Sequence, residues 1–171
     1  TLTNTQINAS AAIAQSKMAA LTGANMPASS VIQIVGSTYS SSGSFNSQSY
    51  VASATLGTIT TTIANSKILT FAGIPLQTQA NNNIYYVALR SSVDSYASNL
   101  IYQLSVNYST NGHILPYTGM TFLHSANQSA STAITYKLYI KNSGSSAGWY
   151  TVDAWGDSGF GYNSYHQEIA P

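Results

Sequence analysis

Ala130-Ser-Thr-Ala-Ile-Thr-Tyr-Lys-Leu-Tyr-Ile-Lys-Asn-Ser143 is the stretch that decides the fold class. In an extended chain Ile134, Tyr136, Leu138 and Ile140 fall on one side, and Thr135, Lys137, Tyr139 and Lys141 on the other. Side chains alternate faces along a strand, so this is a half-buried antiparallel strand with one apolar and one polar face.

Outward from it the chain repeats the theme. Strands are expected at Val31–Gly36, Tyr50–Ala54, Thr58–Ile63, Lys67–Ile74, Ile84–Arg90, Leu100–Ser109, His113–Pro116, Gly119–His124, Gly148–Trp155 and Ser164–Ala170. Thr58–Ile63 has a one-sided pattern suited to an outer strand, and Ile68–Phe71, apolar on both faces, suits a central one. Turns are expected at Asn65-Ser66, Asn81–Asn83, Asn111-Gly112 and Asn142–Ser146. Tyr39–Gln48, rich in Ser and Gly, reads as an exposed loop or hairpin tip. Roughly ten short strands with turn signals every 8–12 residues predict a sandwich or barrel.

Residues 5–21 break the pattern. Ala, Gln, Met, Lys and Leu favour helix there. Ile7, Ala11, Ala14, Met18 and Leu21 follow the 4-3-4-3 spacing of a coiled-coil seam, with Gly23 and Pro27 as stop signals. A helix this short is marginal alone. It reads either as docked on its own domain or, preferably, as a short parallel bundle joining chains. The expected division is an oligomerisation segment over residues 1–26 and a β-sandwich head over 27–171.

Composition narrows the classes. The 171 residues suit one β domain with an appendage. No cysteine is present, so disulfides and thiolate metal sites are out. Charged residues are 5% of the chain, against about 25% in an ordinary domain. The surface is therefore Ser, Thr, Asn, Gln and Tyr, or is covered by other subunits. A net charge of +1 with scattered cations argues against nucleic acid. No apolar run is long enough for a membrane span, and no signal-peptide pattern opens the chain, where Thr1 implies processing or trimming.

Catalytic constellations are weak. His113, His124 and His166 sit in separate segments, so a metal site would have to be assembled wholly by the fold, and none is expected. Asp153-Ala-Trp-Gly-Asp157-Ser-Gly lacks the ligand spacing of a calcium hand and reads as a turn, or as a carboxylate pair of the glycosidase kind. Glu168, in what reads as an apolar closing strand, is expected to pair with a lysine. No nucleophile elbow or phosphate loop is present. The most suggestive feature is aromatic: Trp149, Tyr150, Trp155, Phe160, Tyr162 and Tyr165 stand among Gly, Ser, Asn and Asp, as rings do in binding loops. The competing reading puts the tryptophans in a core or subunit interface. The candidate ligand-binding set is Trp149, Trp155, Phe160, Tyr162, Tyr165, Asp153 and Asp157.

Several segments resemble the C-terminal β-sandwich domains of tail fibres and related appendages of tailed bacteriophages, marine and cyanobacterial ones above all. They are Ile7-Asn-Ala-Ser-Ala-Ala-Ile-Ala-Gln-Ser-Lys17, Ser30-Val-Ile-Gln-Ile-Val35, Ile59-Thr-Thr-Thr-Ile63 with Ser66-Lys-Ile-Leu69, Phe122-Leu-His-Ser125 with Thr132-Ala-Ile-Thr-Tyr-Lys137, and Glu168-Ile-Ala170. The resemblance implies a homotrimer on a virion, in contact with other virion proteins, that attaches to a host surface. It carries no catalytic residues across. The expectation is thus an all-β, jelly-roll-like antiparallel sandwich with a short N-terminal helix. It would act as a receptor-binding module for a bacterial surface molecule, a glycan for preference, with no enzyme activity, cofactor, nucleic acid or membrane insertion. A receptor-free decoration protein, a polysaccharide depolymerase using Asp153, Asp157 or Glu168, and a secreted lectin or adhesin stay open beside it.

Overall fold

A computed structural model of the chain describes residues 26–39, 42–45, 47–78, 83–107, 117–143, 148–151 and 162–171. Ten strands order the described residues: β1 Val31–Tyr39, β2 Ser42–Phe45, β3 Val51–Thr60, β4 Lys67–Thr78, β5 Asn83–Ser91, β6 Ile101–Asn107, β7 Tyr117–Ser125, β8 Ala133–Asn142, β9 Gly148–Thr151 and β10 Tyr162–Ile169. The helical seam Ile7, Ala11, Ala14, Met18 and Leu21, the strand expected at His113–Pro116 and the Asn111-Gly112 turn lie outside the described residues.

The pairing is nested. β1 pairs with β10, β2 with β9, β3 with β8, β4 with β7 and β5 with β6, all antiparallel. The chain is thus a ribbon of two half-chains, and the added pairings β10·β4 and β5·β8 roll it into two sheets. One runs β1-β10-β4-β7, with β9 and β2 continuing from the far end of β4; the other runs β3-β8-β5-β6. This order makes an antiparallel jelly-roll sandwich.

β8 is built as its alternation predicts. Ile134, Tyr136, Leu138 and Ile140 are buried and the residues between them are half-exposed. They meet Leu56 and Ile59 of β3, Val87 and Leu89 of β5, and, across the sandwich, Ile68 and Ala72 of β4 and Met120 of β7. β4 is central, between β10 and β7, and β3 is an edge, as their patterns suggest.

Three expectations are corrected. Tyr50–Ala54 and Thr58–Ile63 are not two strands: one strand, β3, runs through Gly57 and ends at Thr60. Gly57 marks a bulge, with φ +128°, and a Cβ there would stand 2.8 Å from Ser37 Cβ. The Ser/Gly segment Tyr39–Gln48 contains a strand, because Ser42–Phe45 finds a full ladder partner in β9. The closing strand is not apolar inside: Ser164, His166 and Glu168 point inward and are fully buried, while Tyr165 faces out.

Candidate functional site

The first sheet lines its side of the sandwich with polar groups, and each has a physical reason. The β3 bulges add Ser53 and Leu56 as extra residues, which fall out of the ladder to β8. Ser164 Oγ donates to the Leu56 carbonyl, and Ser53 Oγ donates to the Leu138 carbonyl at 3.1 Å. His166 Nδ1 lies 3.1 Å from Thr70 Oγ1, and its ring stacks on Tyr136 with centroids 4.9 Å apart. His124 Nδ1 lies 2.9 Å from the Tyr136 hydroxyl, and the two rings meet edge-on. Burial lowers both histidine pKa values, opposed at His166 by the Leu56 carbonyl and at His124 by the charge of Asp94. Burial pushes the Tyr136 phenol well above its usual range, with Thr70 opposing. The cluster is sealed and ties the two sheets together. Among the described residues no group of three or more metal-ligating side chains converges.

Glu168 is enclosed in the same way. Its carboxylate accepts from the Thr62 amide at 2.8 and 3.0 Å, the Thr62 hydroxyl at 2.9 Å, Gln33 Nε2 at 2.6 Å and the Ile63 amide at 3.3 Å. Desolvation raises its pKa, but the nearby Ser66 hydroxyl and the hydrogen bonds from Gln33 and Thr62 outweigh it and hold the carboxyl below the usual range. The expected lysine partner is therefore replaced by the turn after β3. Backbone amides satisfy a buried carboxylate without a second desolvated charge.

The outer face of β3-β8-β5-β6 is different in kind. Alternation turns Lys137, Tyr139 and Lys141 of β8 outward, and register sets them opposite Arg90, Ala88 and Tyr86 of β5. Tyr102 of β6 stands on the other side of Ala88 and is 62% exposed. Tyr50 precedes β3, and Tyr96 follows the 3-10 turn Ser92–Asp94 after β5. The Arg90 guanidinium lies 4.5 Å from the Tyr139 ring centroid and 5.0 Å from that of Tyr50. Lys141 Nζ lies 4.8 Å from both Tyr50 and Tyr86, and Lys137 Nζ 4.4 Å from Tyr96. Arg90 is further fixed by Nε donating to Asn99 Oδ1 at 2.7 Å and Nη1 to the Tyr96 carbonyl at 2.9 Å. Burial raises the Tyr50 phenol pKa, while Asn99 and the Arg90 charge oppose it.

Each cation–ring contact contributes about 0.5–1 kcal/mol at an exposed site. Among the described residues, no carboxylate lies among the partners of these three cations. Asp94, at the edge of the same sheet, accepts instead from the Ser98 amide at 2.8 Å. Five tyrosines and three of the chain's five full cations thus form one outward platform.

Of the residues picked from sequence, Trp149 lies in β9 opposite Ser44 and Gln77, and Tyr162 opens β10 opposite Tyr39. Trp155, Phe160, Asp153 and Asp157 lie outside the described residues. Tyr165 is placed: it is 46% exposed on the outside of the other sheet, beside Phe71. With Phe71, Met120, Thr121 and Asn163 it lines a recess of ≈ 290 Å³. Tyr165 and the cation–tyrosine platform are therefore on opposite outer faces. The platform itself was not singled out in the sequence, although Lys137, Tyr139 and Lys141 at alternate positions were its signal.

No protein-family model matches the chain, and no curated protein does. Among solved structures it is similar to the VP2 subviral particle of infectious bursal disease virus, at 15% identity and TM-score 0.43, over 81% of this chain and 33% of that one. It is also similar to the Eiger TNF of S. frugiperda, at 10% identity and TM-score 0.40, over 80% of this chain and 90% of that one. The chain spans about a third of the length of the VP2 chains it resembles.

Proposed function

We propose that this chain is an attachment module: a jelly-roll domain of a virion appendage that holds a bacterial surface glycan against the outer face of its four-stranded sheet. The observation that carries this reading is the platform itself. A chain with nine fully charged residues gathers Arg90, Lys137 and Lys141 on one sheet face, each seated on tyrosine. The reading includes no bond-breaking step. The seam at Ile7, Ala11, Ala14, Met18 and Leu21 supports association of copies, and the resemblance to tail-fibre domains implies three, so that weak contacts gain avidity.

The test is adsorption of the purified chain to bacterial cells and to their extracted polysaccharide, beside the K137Q/K141Q double variant. Saturable binding that the variant weakens is expected; absence of binding to any surface polysaccharide overturns the reading. Light scattering of the chain with and without residues 1–26 checks the trimer.

A receptor-free structural protein of the particle is the second reading. It is favoured by the opposite sheet, whose outer face exposes Ile34, Leu123 and Tyr165, with Leu69 and Phe71 half-buried between them. Apolar faces of this kind are covered in assemblies. It predicts binding to other particle proteins and none to polysaccharide.

A further inference from the structure

We infer that the cation–tyrosine platform selects carboxylate-bearing polysaccharides over neutral ones. This rests on the attachment reading above and names its ligand class. A neutral sugar is held by stacking on an open aromatic face and by directed hydrogen bonds. Here the faces of Tyr50, Tyr86, Tyr96 and Tyr139 are already covered by the chain's own Arg90, Lys137 and Lys141. Tyr102 is not among the covered rings. What the platform offers outward is mainly N–H donors carrying positive charge.

Those donors sit on half-buried side chains and keep hydrogen-bonding capacity in reserve. Arg90 uses Nε and one Nη1 hydrogen on Asn99 and Tyr96, and a guanidinium has five N–H donors in all, so its remaining ones suit a carboxylate. The ammonium groups of Lys137 and Lys141 make ring contacts and no hydrogen bond among the described residues. Their places suit a repeating acid. Lys137 and Lys141 are four residues apart on one strand, roughly 13 Å at about 3.3 Å per residue, and Arg90 is opposite Lys137, roughly 4.8 Å across the ladder. The charged heads draw closer than the backbone does: Arg90 and Lys141 share the Tyr50 ring, 5.0 and 4.8 Å from its centroid, while Lys137 lies over Tyr96, so an extended chain with repeated carboxylates can engage more than one of them.

Nucleic acid is an anionic polymer of a different kind. Single strands are held by bases stacking on open rings as well as by phosphate contacts. The covered rings and the net charge of +1 disfavour it.

The experiment measures binding of the whole chain to alginate, to carboxyl-reduced alginate of the same length, and to a single-stranded thymidine oligonucleotide. The expected result is binding to alginate that carboxyl reduction abolishes. The K137Q/K141Q variant should lose about tenfold, as two exposed ion pairs would give, with the unfolding transition still cooperative and lowered by no more than the three cation–ring contacts it removes. The loss should shrink at high salt, where exposed charges are screened. Equal binding to alginate and its reduced form overturns the selectivity and leaves attachment standing. Binding to neither form overturns the selectivity, and attachment is then judged by the adsorption to cells. Tighter binding to the oligonucleotide than to alginate overturns the inference in favour of nucleic acid.

Discussion

His166 lies flat against Tyr136, with ring centroids 4.9 Å apart and planes 20° from parallel, so that β10 of one sheet grips β8 of the other through two polar rings. The contact is wholly enclosed. Both histidines near it, His166 and His124, therefore bind protons less readily in the folded chain than in the unfolded one.

A histidine pKa depressed by folding has a definite sign. Above the ordinary value of 6.5 both states are neutral and stability is full. As pH falls below that value the unfolded chain takes up protons first, so stability drops until the folded pKa is passed. Urea midpoints should therefore fall as the pH drops below about 6.5. His166→Gln should flatten that slope while lowering stability at pH 8 by about 1–3 kcal/mol, since Thr70 loses its partner. An unchanged slope would mean that His166 is not buried neutral.

Glu168 acts at lower pH. Its folded pKa lies below the ordinary 4.5, so its contribution is present above that value and is lost as pH falls through the folded pKa. Glu168→Gln keeps the shape but loses charged acceptance from Thr62 and Gln33. A loss of about 1.5–3 kcal/mol at neutral pH is expected, read by chemical denaturation, with a flatter profile below pH 4.5.

Gly57→Ala and Gly36→Ala make a matched pair. At Gly57 φ is +128° and the new Cβ meets Ser37 Cβ at 2.8 Å; at Gly36 the nearest atom is a Tyr165 ring carbon at 3.4 Å. The first should cost about 1–3 kcal/mol, as residues held in disfavoured backbone regions do. The second should be close to neutral. Thermal unfolding of the two variants checks the bulge directly.

Leu138→Ala and Tyr139→Ala separate the two faces of β8. Leu138 is fully buried, and its truncation should cost about 2–5 kcal/mol by denaturation. Tyr139 faces out under Arg90, so its truncation should cost about 1 kcal/mol or less while weakening polysaccharide binding.

The fold was legible where period and burial agree. Ile134, Tyr136, Leu138 and Ile140 point inward as their spacing says, and the apolar run in β4 is central. Reading failed where tertiary partners override pattern. Ser164, His166 and Glu168 are inside because bulge carbonyls, Thr70 and the Thr62 turn satisfy them, and no local pattern carries that information. Gly57 looks like a break between strands but is a bulge within one. Three of the platform's eight residues, Lys137, Tyr139 and Lys141, were visible as the polar face of one strand. The rest was not, because Tyr50, Tyr96, Tyr102 and the β5 residues Tyr86 and Arg90 come from segments that only register brings together.

The most direct test of the attachment face is a titration of the isotope-labelled chain with alginate oligosaccharides, followed by backbone amide chemical shifts. Shifts gathered on Tyr86, Arg90, Lys137, Tyr139 and Lys141 are predicted, because these residues share one outward face. Shifts confined to Trp149–Tyr165, or none anywhere at saturating ligand, would contradict it.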